Sequence, residues 1–343
     1  MTGTSMDGVD AVAVSIRGNG LRMTASFEAI ASVELGELAA RLRLLTSGNG
    51  TTSEMDSAAT ELGHLTAEAI SKLQVDRIDL IALHGQTIFH KPPTSIQLLD
   101  PTPVLEAFTC SVLTDPRKAD LELGGQGAPI TPLADWVMFR SSEMSTAIVN
   151  LGGFCNVTIM PVDSHPNDIR GFDVCCCNLL LDAIARQLLH TPFDLDGNEA
   201  MSGTNNNEVH RQLLDQLELQ RSSQRSLGTG DDLGEFAYNI GRHLSPADLL
   251  ATATSAIGSC ITNATQDVDR VYLTGGGIHN AALTNAMKHE GTTANLGVPT
   301  QAREAMAMAI LGALAQDGES ITLTQITNRK ESAEPVGWVY ARP

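Results

Sequence analysis

The chain has 343 residues, enough for two domains, and its 42% hydrophobic content supports a real core that must be aliphatic because only 4% is aromatic. A formal charge of −18 argues against non-specific binding to nucleic acid or an anionic membrane, while a local nest of N–H groups or a metal ion can still hold a phosphorylated ligand. No apolar run is long enough to span a bilayer and no signal peptide precedes the first motif, so a cytoplasmic protein without a membrane partner is expected.

Strand and helix patterns alternate, which predicts an α/β fold. The chain opens on Gly3, Thr4, Ser5, Met6, Asp7, Gly8, Val9 and Asp10, a turn of glycines, hydroxyls and a carboxylate that feeds an alternating strand at 11–16. Such a turn can aim N–H and hydroxyl groups at a phosphate with Asp7 facing a metal; an ordinary strand-opening turn accounts for it equally well. A helix is expected over 53–73 and a buried strand over 78–83, ending at His84-Gly85-Gln86-Thr87. Another short strand at 111–114 leads to Asp115-Pro116-Arg117, then to the loop 124–129 and a helix at 132–140.

A second cycle begins with strands at 146–150 and 155–160 around the turn Leu151-Gly152-Gly153. Helices follow near 178–189, 207–219, 233–244 and 246–262, and then a strand at 271–273 leading into Thr274-Gly275-Gly276-Gly277 and a helix from Asn280. The last helix is expected at 301–315. The crude repeat of glycine turn and strand predicts two related domains, with the C-terminus returning to the first.

Each glycine turn taken alone is weak. The segment containing Asn150, Gly152, Gly153 and Asn156 reads as a ligand-facing hairpin tip or as a plain one, and Thr274, Gly275, Gly276 and Gly277 as a ligand platform or a tight strand-to-helix turn. Three such turns in this order are what an ATP-binding cleft between two ribonuclease-H-like domains would show. Asp173 is expected after a strand end and before a helix, either as a base or as an N-cap. Asp182 faces the cleft or caps nothing; Asp115 and Arg117 orient a sugar or form a surface ion pair; Glu304 suits a helix start. Cys175, Cys176 and Cys177 read as small hydrophobes filling a buried helix start, and the six cysteines show neither zinc spacing nor a disulfide framework.

Taken together, these segments resemble the anhydro-N-acetylmuramic acid kinase family of the hexokinase/actin superfamily, nearly end to end. The resemblance rests on residues 3–10, 84–87, Gln97 with Asp100, 115–117, 124–129, 150–157, 171–173, 274–280 with Leu283, and 304–309. It implies two ribonuclease-H-like (actin/hexokinase-type) domains with a ligand cleft between them, one formed by 1–121 plus 303–343 and the other by 122–302. It also implies an enzyme of amino-sugar metabolism that opens a 1,6-anhydro bond with water and phosphorylates O6, using ATP and magnesium. Gly3 to Asp10 and Asn150 to Asn156 would hold phosphates, Thr274 to Gly277 the adenosine side. Asp173 would be the base and Asp7 the magnesium contact, with His84, Gln86, Arg117 and Gln126 on the sugar side.

The chain departs from the resembled pattern in three places. Val174-Cys175-Cys176-Cys177 stands where the pattern has Thr-Gly-Pro-Gly, a lysine is missing from 225–236, and the strand expected before Gly3 is reduced to Met1 and Thr2, which should leave an unpaired sheet edge. Three functions therefore stay open: the kinase of anhydro-N-acetylmuramic acid, a kinase of another anhydro sugar, and a member that binds sugar or nucleotide without turnover. The expected partners are the amino sugar, ATP and a second copy in a homodimer.

Overall fold

The computed structural model describes residues 1–2, 6–223, 225–228, 230–330 and 339–340, and its chain divides into two compact units. The first comprises Met1–Phe139 and Gly297–Pro343, the second Arg140–Leu296. The expected division at 121/122 and 302/303 thus falls elsewhere: residues 122–139 and 297–302 belong to the first unit.

The first unit opens with β1 (Gly8–Arg17) and β2 (Thr24–Glu34), an antiparallel hairpin. Helices α1 (Leu38–Thr46) and α2 (Thr52–Ser71) follow. The start of α2 is fixed by a capping box, in which Glu54 N donates to Thr51 Oγ1 at 3.3 Å and Thr51 N donates back to Glu54 Oε2 at 2.7 Å. Then come β3 (Leu80–Ala82), the hairpin β4 (Gln86–Lys91) with β5 (Thr94–Leu98), α3 (Thr102–Ala107), β6 (Ser111–Leu113), α4 (Lys118–Glu122) and α5 (Pro132–Phe139). β3 runs parallel to β6. The core of this unit gathers Val9, Leu38, Leu62, Ile81 and Val112.

The second unit contains β7 (Thr146–Leu151), β8 (Phe154–Met160), β9 (Arg170–Cys176), α6 (Asn178–Leu188), α7 (Asn198–Ser202), α8 (Asn207–Ser222), α9 (Gly234–Gly241), α10 (Pro246–Thr265), β10 (Arg270–Thr274), α11 (Ala281–Asn285) and β11 (Gly291–Thr292). Its five strands are ordered β11-β10-β7-β8-β9, with β8 antiparallel to both neighbours and β10 parallel to β7 and β11. This is the ribonuclease-H-like arrangement expected from the sequence. β7 is buried along its whole length, as a central strand covered on both faces requires.

The chain returns to the first unit with α12 (Arg303–Gln316), α13 (Thr324–Thr327) and β12 (Val339–Tyr340), which pairs antiparallel with β6. Arg303 explains why α5 belongs there too. Its guanidinium, 1% exposed, donates Nε–H to Asp135 Oδ1 at 2.8 Å and a second bond from Nη2 to Asp135 Oδ2. No helix among the described residues is long and apolar enough to cross a membrane.

Candidate active site

In the second unit, four of the residues singled out in the sequence fall on one transverse row of the sheet. Thr274 of β10 is in register with Asn150 of β7, Asn150 with Asn156 of β8, and Asn156 with Asp173 of β9. Residues directly opposite across adjacent strands share a face, so a hydroxyl, two amides and a carboxylate line up together. Thr274 and Asn150 are buried, Asn156 and Asp173 half-buried. The row lies at the carboxyl ends of the parallel strands β7 and β10, where open α/β sheets bind ligands.

Two glycine turns border the row. Gly275 has φ +84°, and a Cβ there would come 2.4 Å from Asn150 Oδ1; one on Gly277 would come 2.7 Å from Leu151 Cβ and 2.9 Å from Leu151 O. Only glycine lets the 274–277 turn close onto the β7 end. A Cβ on Gly276 would meet nothing within 4 Å. At the β7–β8 turn, Asn178 N donates to Gly152 O at 3.1 Å and Cys177 N to Gly153 O at 2.9 Å. Asn178 Nδ2 also donates to Leu151 O at 3.0 Å. The first N–H groups of α6 are thus spent on holding the hairpin tip.

Asp173 lies inside β9, neither after a strand end nor at a helix cap; the residue at the cap of α6 is Cys177. Its Oδ2 accepts from Leu227 N at 2.7 Å and lies 3.4 Å from Ser226 Oγ. The segment carrying these donors is tied down by Asp231, which accepts from Gly228 N at 2.8 Å and from both terminal nitrogens of Arg225. That ion pair holds the Asp231 carboxyl below its ordinary range. The role of 225–232 is not legible from its spacing, since it is a backbone N–H that reaches the carboxylate.

Cys175 and Cys176 end β9, which corrects the expectation that the three cysteines fill a helix start. All three are fully buried. Burial pushes the Cys176 thiol up to about 12 and raises that of Cys177. A hydrogen bond with Cys260 and then burial raise Cys175. They are neutral packing side chains at neutral pH. On α6, burial raises the half-buried Asp182 carboxyl to about 6.

In the first unit, Arg117 turns toward His84 and the loop 124–129. It donates Nε–H to His84 Nε2 at 3.1 Å and Nη1–H to Gly127 O at 2.8 Å. Burial, and then the charge of Arg117, hold the His84 ring well below its ordinary pKa. His84 Nδ1 and Gln86 Oε1 are both buried without a hydrogen-bond partner among the described residues. The loop 124–129 is anchored by the buried Asp120, which accepts from Gly127 N at 2.8 Å and Thr327 Oγ1 at 2.6 Å. Gln126 N donates to Thr327 O at 2.8 Å. His84, Arg117 and the loop holding Gln126 are therefore one hydrogen-bonded group.

Of the opening turn, Gly3, Thr4 and Ser5 lie outside the described residues. Met6 is buried at φ 54°, Asp7 is exposed, and Val9 is buried. Gly8 sits against β2, where a Cβ would lie 2.9 Å from Val33 O. Asp10 Oδ1 accepts from Ser32 Oγ at 2.5 Å, which marks it as a sheet residue. Among the described residues no group of three or more His, Cys, Asp or Glu side chains could hold a metal. A magnesium ion at Asp7 therefore fits only in its usual mode, with one carboxylate and the rest phosphate and water.

Comparison with known proteins reaches the whole chain. The sequence profile of the family described as "Anhydro-N-acetylmuramic acid kinase" matches residues 1–340. A protein of that name from Salinibacter ruber is 31% identical, over 95% of this chain and 91% of its own. One from Shewanella halifaxensis is also 31% identical, over 97% and 95%. Among solved structures, component A of the (R)-2-hydroxyglutaryl-CoA dehydratase of Acidaminococcus fermentans aligns at a TM-score of 0.41 and 12% identity, over 88% of this chain and 98% of that one. A ROK family glucokinase from Streptomyces griseus, solved with glucose and AMPPNP, aligns at 0.35 and 10% identity, over 88% and 99%.

Proposed function

The chain belongs to the anhydro-N-acetylmuramic acid kinase family, and from that premise we propose that it opens 1,6-anhydro-N-acetylmuramic acid with water and transfers the γ-phosphoryl group of ATP to O6. The product is N-acetylmuramic acid 6-phosphate, a step of peptidoglycan recycling. The observation that carries this reading is the polar row Thr274–Asn150–Asn156–Asp173. It sets one carboxylate in line with amide and hydroxyl donors suited to phosphate oxygens.

Asp173 is the proposed base. It takes a proton from water as the water oxygen attacks the anomeric carbon; the bond from that carbon to O6 breaks, and O6 becomes the acceptor of the phosphoryl group. The N–H of Leu227 holds Asp173 Oδ2 in place. Asn150, Gly152, Gly153 and Asn156 are assigned to phosphate, and Thr274 to Gly277 to the adenosine side. Met6 and Val9 shape the opening turn, with Asp7 as the carboxylate for magnesium. Magnesium, when bound, supplies neutralisation of phosphate charge. His84, Gln86, Arg117 and Gln126 are assigned to the sugar, and the orphaned His84 Nδ1 and Gln86 Oε1 support this, since buried polar atoms call for a partner.

Asp173→Asn should lower sugar phosphorylation by about 10²–10⁴-fold while calorimetry still detects ATP binding. Full turnover by the variant would remove Asp173 from the mechanism. The run Val174–Cys177 favours a second reading, binding without turnover. ATP binding by the natural chain beside a silent assay on several anhydro sugars would establish it in place of the first.

A further inference from the structure

The buried stripe of α8 is Val209, Leu213 and Leu217, four residues apart, and Gln220 continues it in the last turn. A polar group on such a stripe needs partners, and Gln220 has one at each end of its amide. Oε1 accepts from Cys176 N at 2.8 Å, and Nε2 donates to Asp231 O at 2.7 Å. β9 is an edge strand of its sheet, so the Cys176 N–H faces away from β8 and the amide stands in for a neighbouring strand.

The other end of the amide holds a loop that is closed on itself. Asp231 N donates to Gly228 O at 3.0 Å, Gly228 N returns a bond to Asp231 Oδ2 at 2.8 Å, and Arg225 Nη1 donates to the same oxygen at 2.8 Å. A loop tied in this way moves as one piece. Fixing Asp231 O therefore also fixes Leu227 N, which lies 2.7 Å from Asp173 Oδ2. Gln220 thus bridges the strand that carries Asp173 and the loop that grips it, joining β9 three residues beyond Asp173.

We propose, on the reading of Asp173 as the base, that Gln220 is a positioning residue for the reaction. Its amide clasps β9 to this loop and so keeps the Leu227 N–H on Asp173 Oδ2, which sets the direction in which the carboxylate meets the attacking water. An amide suits the task because it accepts at one end and donates at the other. A hydrocarbon of equal length would leave Cys176 N and Asp231 O without these bonds.

Gln220→Met keeps the length of the side chain and removes both bonds. Two readouts decide. Hydrogen exchange should show the Leu227 amide exchanging about tenfold faster or more in the variant, whatever its turnover. Kinetics of ATP-dependent phosphorylation of 1,6-anhydro-N-acetylmuramic acid should show kcat lowered by about 10–10²-fold, with KM for ATP and for the sugar unchanged. Placed on Asp173→Asn, the same substitution should lower kcat no further, because it acts through that carboxylate. Should Gln220→Met melt below the assay temperature, Gln220→Glu carries the same test, since its carboxylate still accepts from Cys176 N and only the bond to Asp231 O is lost. Unchanged exchange at Leu227, an unchanged kcat, or losses that multiply in the double variant each overturn the assignment while leaving Asp173→Asn inactive. Full turnover by Asp173→Asn is a different failure: it removes the base, and this role of Gln220 with it, even where exchange at Leu227 shows the clasp at work.

Discussion

His84 and Arg117 illustrate how one contact fixes a protonation state. A guanidinium only donates, so His84 Nε2 must accept and the neutral ring carries its proton on Nδ1, the atom without a hydrogen-bond partner among the described residues. Asp182 carries a different signature. Its carboxyl has an ordinary value of 3.8 in the open chain and about 6 in the folded one, so folding is penalised by the charged form. The sign follows: the penalty is absent below about pH 4, grows as pH rises from 3.8 to 6, and is complete above that. Asp182→Asn should therefore raise Tm at pH 7–8 by a few degrees and leave it unchanged near pH 4, as thermal melts across pH would show. A variant less stable than the natural chain at pH 8 would contradict the burial argument.

At the scale of elements, the glycine turn after β10 owes its position to contact with β7. A Cβ on Gly277 would stand 2.7 Å from Leu151 Cβ, so Gly277→Ala must push the turn away from the row that holds Asn150. ATP affinity by calorimetry should fall by about tenfold or more, equivalent to about 1.4 kcal/mol, with the fold retained. Unchanged affinity would detach this turn from nucleotide binding. The turns, β7, β8, β10 and most helices are legible from apolar periodicity and glycine placement, because both reflect local backbone demands. β2 is not, since its run TASFEAIASVE is small and polar with little burial. β9 is hidden in RGFDVCC, where a glycine and two cysteines mask the alternation, so Asp173 reads as a cap residue. The alignment of Asp173 with Asn156 depends on pairing between strands and cannot be read along one of them.

For the molecule as a whole, the return of the C-terminal segment to the first unit is legible as a repeat followed by a late helix. The place of α5 is not, because it rests on a pair 168 residues apart in the chain, Asp135 with Arg303. Both are buried, so Arg303→Met strands a carboxylate in the core and should cost about 3–5 kcal/mol in urea unfolding. The double variant Asp135→Leu/Arg303→Met should recover most of that loss. If the double variant is as unstable as the single one, the energy lies in packing and not in charge.

The irregularity between Cys155 and Asn156 in the β8–β9 pairing has one more consequence. Side chains alternate up and down a strand, so the face on which Asp173 emerges is a matter of odd or even counting from that kink. A regular ladder running on from the Cys155–Cys175 pair would set Val174 opposite Asn156 and Asp173 opposite Val157. The acid would be turned to the far side of the sheet, where no adjustment of neighbouring loops could return it.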